Sequence, residues 1–175
     1  MTTRRLLMAC AWLALGACAG MPSPPTDVPE ALRQPAGESL KMVLRASGVQ
    51  IYQCRAAADG SYAWAFVAPE AELRDRRGGR SGHHDAGPRW HFADGSRVLG
   101  MVRHRAEAPV PGAIPWLLLT AQAEGPAGVA ATITSIQRIH TVGGVAPNDG
   151  CSPQTAGASS RVDYTADYYF YGSRT

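Results

Sequence analysis

Residues 41–68 read KMVLRASGVQIYQCRAAADGSYAWAFVA, and this stretch decides the fold class. Its apolar side chains alternate at a period of two, which is the spacing of a β-strand. Asp59-Gly60 divides the stretch into two runs and predicts a hairpin with a type I′ turn. Ser47-Gly48 predicts an earlier turn, between strands at 41–46 and 49–55. Residues 62–68 are apolar on both sides, so we expect both faces of that strand to be buried.

The same pattern continues to the end of the chain. Asp94-Gly95 marks a second tight turn, and no segment carries a helical stripe except one turn near residues 29–33. We therefore predict one all-β domain, an antiparallel β-sandwich or barrel of about eight strands. Further strands are predicted at 89–92, 97–105, 116–123, 132–141 and 161–171. The last of these has four side chains on one core-facing side, namely Tyr164, Ala166, Tyr168 and Phe170.

Composition excludes several classes of protein. The chain has 175 residues, of which 45% are hydrophobic and 18% are charged, so it can bury a core and is not intrinsically disordered. It contains no apolar run long enough to predict a membrane-spanning helix. The net charge of +3 includes two arginines near the start that we expect to be removed. The remaining charge is too small to indicate nucleic-acid binding.

Residues 1–17 are predicted to be a lipoprotein signal peptide. Two arginines precede a short apolar stretch that ends in Leu15-Gly16-Ala17-Cys18. This order resembles the lipobox of bacterial lipoproteins, in which the cysteine is acylated and the chain is cut before it. Cys18 is therefore predicted to be lipidated and to anchor an exported protein on a bilayer. Ala19 after the cysteine favours the outer membrane, and a plain cleaved signal is the alternative.

The remainder of the chain divides into a tether and a domain. Residues 18–29 contain four prolines and predict an extended spacer. Residues 30–175 then form the single β domain, with Cys54 and Cys151 as its two cysteines. In an oxidising compartment this pair predicts a disulfide bond. The alternative makes one of the two a catalytic thiol paired with a histidine.

Several segments follow one another in the order of a known family. They read GVQIYQC at 48–54, WAFVAPEA at 64–71, GHHDAGPRW at 82–90, GAIPWLLL at 112–119, IQR at 136–138, TVGG at 141–144 and YYFY at 168–171. Over residues 28–171 the chain therefore resembles a family of secreted bacterial and fungal proteins, the domain of unknown function 3455. The resemblance implies export and a single domain, with no established activity. One histidine is usual in the family segment similar to 82–90, and His84 is the matching position.

Arginines provide the first group of candidate binding residues. Residues 73–88 are predicted to form a long loop rich in glycine and charge. Its guanidinium groups could bind phosphate or carboxylate groups of envelope polymers. A solvated hydrophilic loop is the alternative, and we favour it. The arginines concerned are Arg74, Arg76, Arg77 and Arg80.

Histidines provide the second group. Imidazole and carboxylate ligands for Cu or Zn could come from His83, His84 and Asp85, together with His91, His104 and His140. Adjacent residues of a strand point to opposite faces, so only one of the two adjacent histidines joins a given site unless the chain bends. The metal hypothesis is therefore centred on His84, with His104 or His140 as an assisting ligand. No other cofactor is expected.

No coherent catalytic set is evident. Glu70, Glu72 and Asp75 are expected after a strand, where a carboxylate pair could hydrolyse glycosides, but exposed strand-end charge explains them more simply. Nucleophile-elbow, zinc-protease and phosphate-loop motifs do not occur. We therefore expect a non-enzymatic binding or structural module at the cell envelope. Its expected partners are the bilayer through Cys18 and an envelope polymer or protein, and a His-dependent metal-binding or redox protein is the alternative.

Overall fold

Eight antiparallel strands form one closed barrel, which confirms the all-β prediction and decides between sandwich and barrel. The computed structural model describes residues 23–174. Each strand pairs with its neighbour in sequence, and β8 pairs with β1 to close the ring. The strands are β1 (Glu38–Ala56), β2 (Tyr62–Arg74), β3 (Arg80–Asp85), β4 (Arg89–Phe92), β5 (Arg97–Ala106), β6 (Trp116–Glu124), β7 (Ser135–Gly143) and β8 (Ser159–Ser173).

Three short 3₁₀ segments complete the secondary structure of residues 23–174: Glu30–Leu32, Val129–Thr132 and Pro153–Thr155. The first of them lies within the one helical turn predicted near residues 29–33. No helix in the described part of the chain is long and apolar enough to cross a membrane.

The main core fills the inside of the barrel. Alternate residues of each strand point inward, and the predicted inward row of β8 from Tyr164 to Phe170 is buried there. Aromatic rings pack edge to face, with Trp90 and Phe92 both meeting Phe170. Other fully buried members of this core are Leu73, Val98, Leu119, Ile136 and Tyr168.

A second, smaller cluster lies on the outside of the barrel. The segment that precedes β1 places Val28 and Leu32 over Trp116, Leu118 and Ile139. The domain's packing therefore begins at Val28, two residues before the start predicted for it.

The tight turns use a different geometry from the predicted type I′. Gly60 has a φ of 81°, but Asp59 is not among the described residues with a positive φ. The Gly60 N–H donates to the Ala57 carbonyl and the Ala57 N–H donates to the Ser61 carbonyl, which is a type I turn followed by a left-handed glycine. The Asp59 carboxylate accepts the Ser61 N–H and fixes this turn, and Asp94-Gly95 repeats the arrangement.

Two predicted boundaries are wrong. Ser47-Gly48 is not a turn, because β1 runs through it without a break. Gly48 instead allows β2 to come close, since a Cβ there would lie 2.1 Å from the Glu70 carbonyl oxygen. The long loop predicted at 73–88 is also absent, because β2 continues to Arg74 and β3 begins at Arg80. Charged side chains on the outer face of these strands conceal the strand pattern.

The disulfide prediction is confirmed. Cys54 and Cys151 are bonded, with their Cα atoms 5.3 Å apart. The bond joins the last part of β1 to the connection between β7 and β8. Because both thiols are consumed in this bond, neither is a free catalytic nucleophile.

Candidate functional site

The barrel is open at one side near the end that holds the β3–β4 turn. The short β3 pairs with β2 only from Ala71 to Arg74, and β4 pairs with β5 only from Arg97 to Leu99. Residues 62–70 of β2 and 101–106 of β5 therefore flank a notch that none of the described strands fills. Both strands carry a β-bulge beside it, at Val67 and at Arg103, and bulges bend strands at the rims of barrels.

The notch corrects one expectation from the sequence. The side chains of Phe66 and Val67 are 54% and 45% exposed, whereas both faces of this strand were expected to be buried. These residues lie beyond the point where β3 covers β2, so no described strand covers them, although the Phe66 ring meets the Tyr52 ring edge to face. Val102, across the notch on β5, is 49% exposed for the same reason. The notch therefore has an apolar rim.

A cavity of about 410 Å³ opens at this notch and reaches into the barrel. That volume lies within the range of small-molecule sites. Most of its wall is apolar or aromatic, and no carboxylate from the described residues lines it. Its lining residues with polar side chains are Gln50, Tyr52, His84, Trp90, Arg105, Arg138 and Tyr168.

Arg138 is the unusual member of this wall. It is half-buried on β7, and its Nε and Nη2 atoms donate to the Pro115 carbonyl oxygen over 3.2 and 2.8 Å. It forms no salt bridge with any residue in the described part of the chain. A cation taken partly out of water without a counter-ion is costly. The barrel therefore carries an uncompensated positive charge at its cavity.

Buried polar atoms around the cavity also lack partners. Within residues 23–174, no hydrogen bond of good geometry is made by Gln50 Nε2, Trp90 Nε1, Tyr164 OH or Tyr168 OH, although Tyr164 interacts with Gln50 and Tyr168, and Tyr168 with Arg138. All four residues are at most 3% exposed, and each unsatisfied group costs about 1–3 kcal/mol. Native proteins rarely leave such groups without water or a ligand. Burial raises the pKa of the Tyr168 phenol against the opposing effect of the Arg138 charge, so this hydroxyl stays neutral and can donate.

His84 is buried in the cavity wall as a neutral ring. It stacks on Trp90 with the ring centroids 4.2 Å apart, and its Nδ1 lies 2.7 Å from the Arg89 carbonyl oxygen. Burial lowers the pKa of His84 to about 3, which outweighs the effect of that hydrogen bond. Because a carbonyl oxygen only accepts, the proton of the neutral ring is on Nδ1 and Nε2 is left as an acceptor.

The structure does not bring together the three histidines of the metal hypothesis. His84 is inside the barrel, whereas His104 is exposed on β5 and lines a surface depression with Arg33. His140 lies at a bulge of β7, where its Nδ1 is 3.0 Å from Asp167 Oδ2. A metal site centred on His84 with His104 or His140 is therefore not formed by the described residues.

Three of the predicted arginine and carboxylate candidates pair with one another, and the others lie apart on the surface. Glu72 forms ion pairs with Arg74 and Arg80. Arg76 contributes to an open surface depression, and Arg77 lies exposed in the β2–β3 turn.

The predicted carboxylates do not form a catalytic pair either. Glu70 and Glu72 lie within β2 rather than after it, so the strand-end placement expected for them is wrong. Glu70 pairs with Arg161 at 3.0 Å. Asp75 accepts the N–H groups of Arg77 and Gly79 and so shapes the turn.

The two residues that make the cavity unusual, Arg138 and Gln50, were not singled out from the sequence. Each occupies an inward position of a strand, Gln50 between Gly48 and Tyr52 and Arg138 two residues after Ile136. A long polar side chain in the inward row of an otherwise apolar strand is the signal that would have identified them.

Comparison with known proteins places the domain in a family. A family model described as Protein of unknown function (DUF3455) matches residues 35–172, which includes the cavity wall and all eight strands except the last residue of β8. Searches of curated proteins and of solved structures found no significant match. Because the match covers most of the chain, this protein belongs to the family of the domain of unknown function 3455.

Proposed function

We propose that this protein is an exported, lipid-anchored β-barrel that binds a small anionic molecule with an apolar or aromatic body. The observation that carries the proposal is Arg138, a half-buried cation in the wall of the cavity that has no counter-ion among residues 23–174. Small barrels commonly hold one ligand inside. In this proposal the module is a binding protein, as expected from its sequence.

The charge of the cavity supports an anion. The hydrogen bonds of Arg138 to Pro115 use two of its three nitrogen atoms, so Nη1 keeps its donors for a ligand. Arg105 at the mouth adds a second positive charge, and within the part of the chain that the structure describes no acidic side chain lines the cavity. Guanidinium groups bind carboxylate and phosphate oxygens well. The partnerless donors on Gln50 and Tyr168 could complete the shell of such a group.

The walls support an apolar body on the same ligand. Leu117, Leu119 and the Trp90 ring line the cavity, and Phe66 and Val67 stand exposed at its mouth. Burial of apolar ligand surface contributes about 25 cal/mol per Å². A ligand whose charged group lies beside Arg138 and whose apolar part points towards the notch would contact both parts of the wall.

The binding proposal is tested with two fluorescent probes that share an aromatic frame and differ by one charged group. Anilinonaphthalene sulfonate carries a sulfonate, and phenylnaphthylamine is the same aromatic frame without it. We expect the sulfonate to bind more tightly, and Arg138→Gln to weaken its binding about tenfold while leaving the neutral probe unchanged. Arg55→Gln, an exposed arginine on β1 away from the cavity, is the matched control. Equal binding of both probes, or an unaffected Arg138→Gln variant of normal melting temperature, would overturn the anion preference.

The anchor is tested separately. Residues 1–22 lie outside the described part of the chain, so Cys18 and the signal peptide rest on the sequence pattern alone. Cells that express the full chain with labelled palmitate should yield a labelled protein in the membrane fraction, and Cys18→Ser should abolish the label. An unlabelled wild-type protein would overturn the lipid anchor.

A further inference from the structure

The outer face of the β3–β4 hairpin carries a second cluster, separate from the cavity. His83 and His91 are directly opposite in the register of these strands. Since His84, Trp90 and Phe92 point into the barrel, His83 and His91 point outward together. Asp85 lies two residues after His83 and so shares this outer face.

The three side chains converge closely. The imidazole rings of His83 and His91 stack with centroids 4.4 Å apart and planes 6° apart. Nε2 of His91 is 3.1 Å from Asp85 Oδ1, and Nε2 of His83 is 3.6 Å from Asp85 Oδ2. One ligand atom from each of the three residues lies within 4.8 Å of the others. Ligand atoms around a tetrahedral zinc ion are about 3.4 Å apart, so small side-chain rotations would close the cluster on a metal.

Most neighbouring charges are held in ion pairs of their own. Arg89, opposite Asp85 in the register of β3 and β4, pairs with Glu124 at 2.8 Å but also attracts the Asp85 carboxylate. Glu72 is opposite His83 on β2, and its carboxylate is taken by Arg74 and Arg80. Arg97 is opposite His91 on β5 and pairs with Glu124. In the described part of the chain, the Asp85 carboxylate has only the two imidazoles as salt-bridge partners.

We propose that His83, Asp85 and His91 bind one divalent transition-metal ion such as Zn²⁺ or Ni²⁺. Two imidazole nitrogens and one carboxylate oxygen suit this class, whereas Ca²⁺ and Mg²⁺ prefer sets of oxygens. Paired antiparallel strands hold the two histidines in place before the metal arrives, which lowers the entropic cost of binding. The side chains of His83 and Asp85 are 50% and 42% exposed, so solvent or a partner's donor atom would fill the remaining positions.

Calorimetric titration of the full-length protein, purified without a histidine tag, tests this site. We expect one equivalent of Zn²⁺ or Ni²⁺ to bind and Ca²⁺ to give no binding heat. His83→Ala and His91→Ala should each weaken binding about tenfold or more, because each removes one of three ligands. The matched control is His140→Asn, since His140 also pairs with an aspartate at 3.0 Å but has no second histidine beside it.

Three results would overturn the site. These are the absence of binding heat for Zn²⁺ and Ni²⁺, unchanged affinity in the double variant His83→Ala/His91→Ala, and loss of the single equivalent in His140→Asn. The melting temperature of each variant without metal shows whether it is folded. Because the cluster faces away from the barrel interior, the variants should keep the binding of anilinonaphthalene sulfonate, which separates this site from the cavity.

Discussion

His84 gives the barrel a pH dependence that originates in one residue. Its ring is 2% exposed, and burial lowers its pKa to about 3, whereas an unfolded chain titrates near 6.5. Between these two values the unfolded chain binds a proton that the native chain does not. Native stability should therefore fall as the pH drops below about 6.5, by up to about 1.4 kcal/mol per pH unit.

Urea unfolding at pH 7, 6 and 5 measures this slope. In His84→Asn the side-chain amide can still donate to the Arg89 carbonyl but does not titrate, so the slope should flatten. His104→Asn removes an exposed histidine and should keep the wild-type slope. A wild-type slope in His84→Asn would show that the acid sensitivity arises elsewhere.

At the scale of single residues, the sequence predicts the chemical role of a side chain better than its place in the fold. The Cys54–Cys151 disulfide follows from the count of cysteines, and the inward row of β8 follows from the period-two alternation of its side chains. Both predictions are confirmed. The role of Gly48 could not be predicted, because a strand glycine that admits a neighbouring strand has the same local signature as a turn. Arg138 was missed because its environment is set by strands that are distant in sequence.

The segment before β1 is a structural element of the barrel rather than only a tether. Leu32 is fully buried against the outer cluster, and its carbonyl oxygen accepts a 2.6 Å hydrogen bond from Gln137 Nε2. The Gln137 side chain in turn accepts the Tyr171 hydroxyl at 3.1 Å. Apolar packing and this buried network together fix the segment on β6 and β7.

Truncation of Leu32 measures the contribution of that element. Leu32→Ala should lower the free energy of unfolding by about 2–4 kcal/mol, since it removes a fully buried side chain and leaves a cavity. Denaturant unfolding with an unchanged slope against denaturant concentration would support this explanation. Val110→Ala is the control, because that side chain is 44% exposed and should cost little. A Leu32→Ala variant as stable as the control would mean that the segment does not support the barrel.

Strands as elements were predicted well because their signals are local. Alternation and Asp-Gly turns give the antiparallel all-β class, although the turn type differs. The predicted number of about eight strands agrees only because the false turn at Ser47-Gly48 divides β1 in two while β3 is missed. The strand β3 was hidden because Arg80 and His83 on its outer face resemble loop composition. The cavity could not be predicted, since it depends on β3 and β4 being shorter than the strands beside them once the ring has closed.

In the molecule as a whole, two links close the ring of strands near the same place, one made of hydrogen bonds and one covalent. The pairing of β1 with β8 closes the sheet, and the Cys54–Cys151 bond crosses from β1 to the connection that leads into β8. Cys54 lies two residues beyond Tyr52, whose hydroxyl donates to the Gly144 carbonyl at 2.6 Å. The covalent link therefore reinforces the end of the barrel that contains the cavity.

The hydrogen bonds between β1 and β8 remain when the Cys54–Cys151 bond is reduced. The reduced protein should therefore stay folded but be less stable. The bond links residues 97 positions apart, and its reduction should cost about 2–4 kcal/mol, mainly by freeing the unfolded chain. Thermal melts with and without reductant should differ by about 5–15 °C. The variant Cys54→Ser/Cys151→Ser should melt near the temperature of the reduced protein, and reductant should not change that temperature.

If the effect lies in the unfolded chain, the slope of stability against denaturant should rise on reduction, because a longer free chain exposes more surface. A smaller slope would instead mean that the native barrel opens at the cavity end.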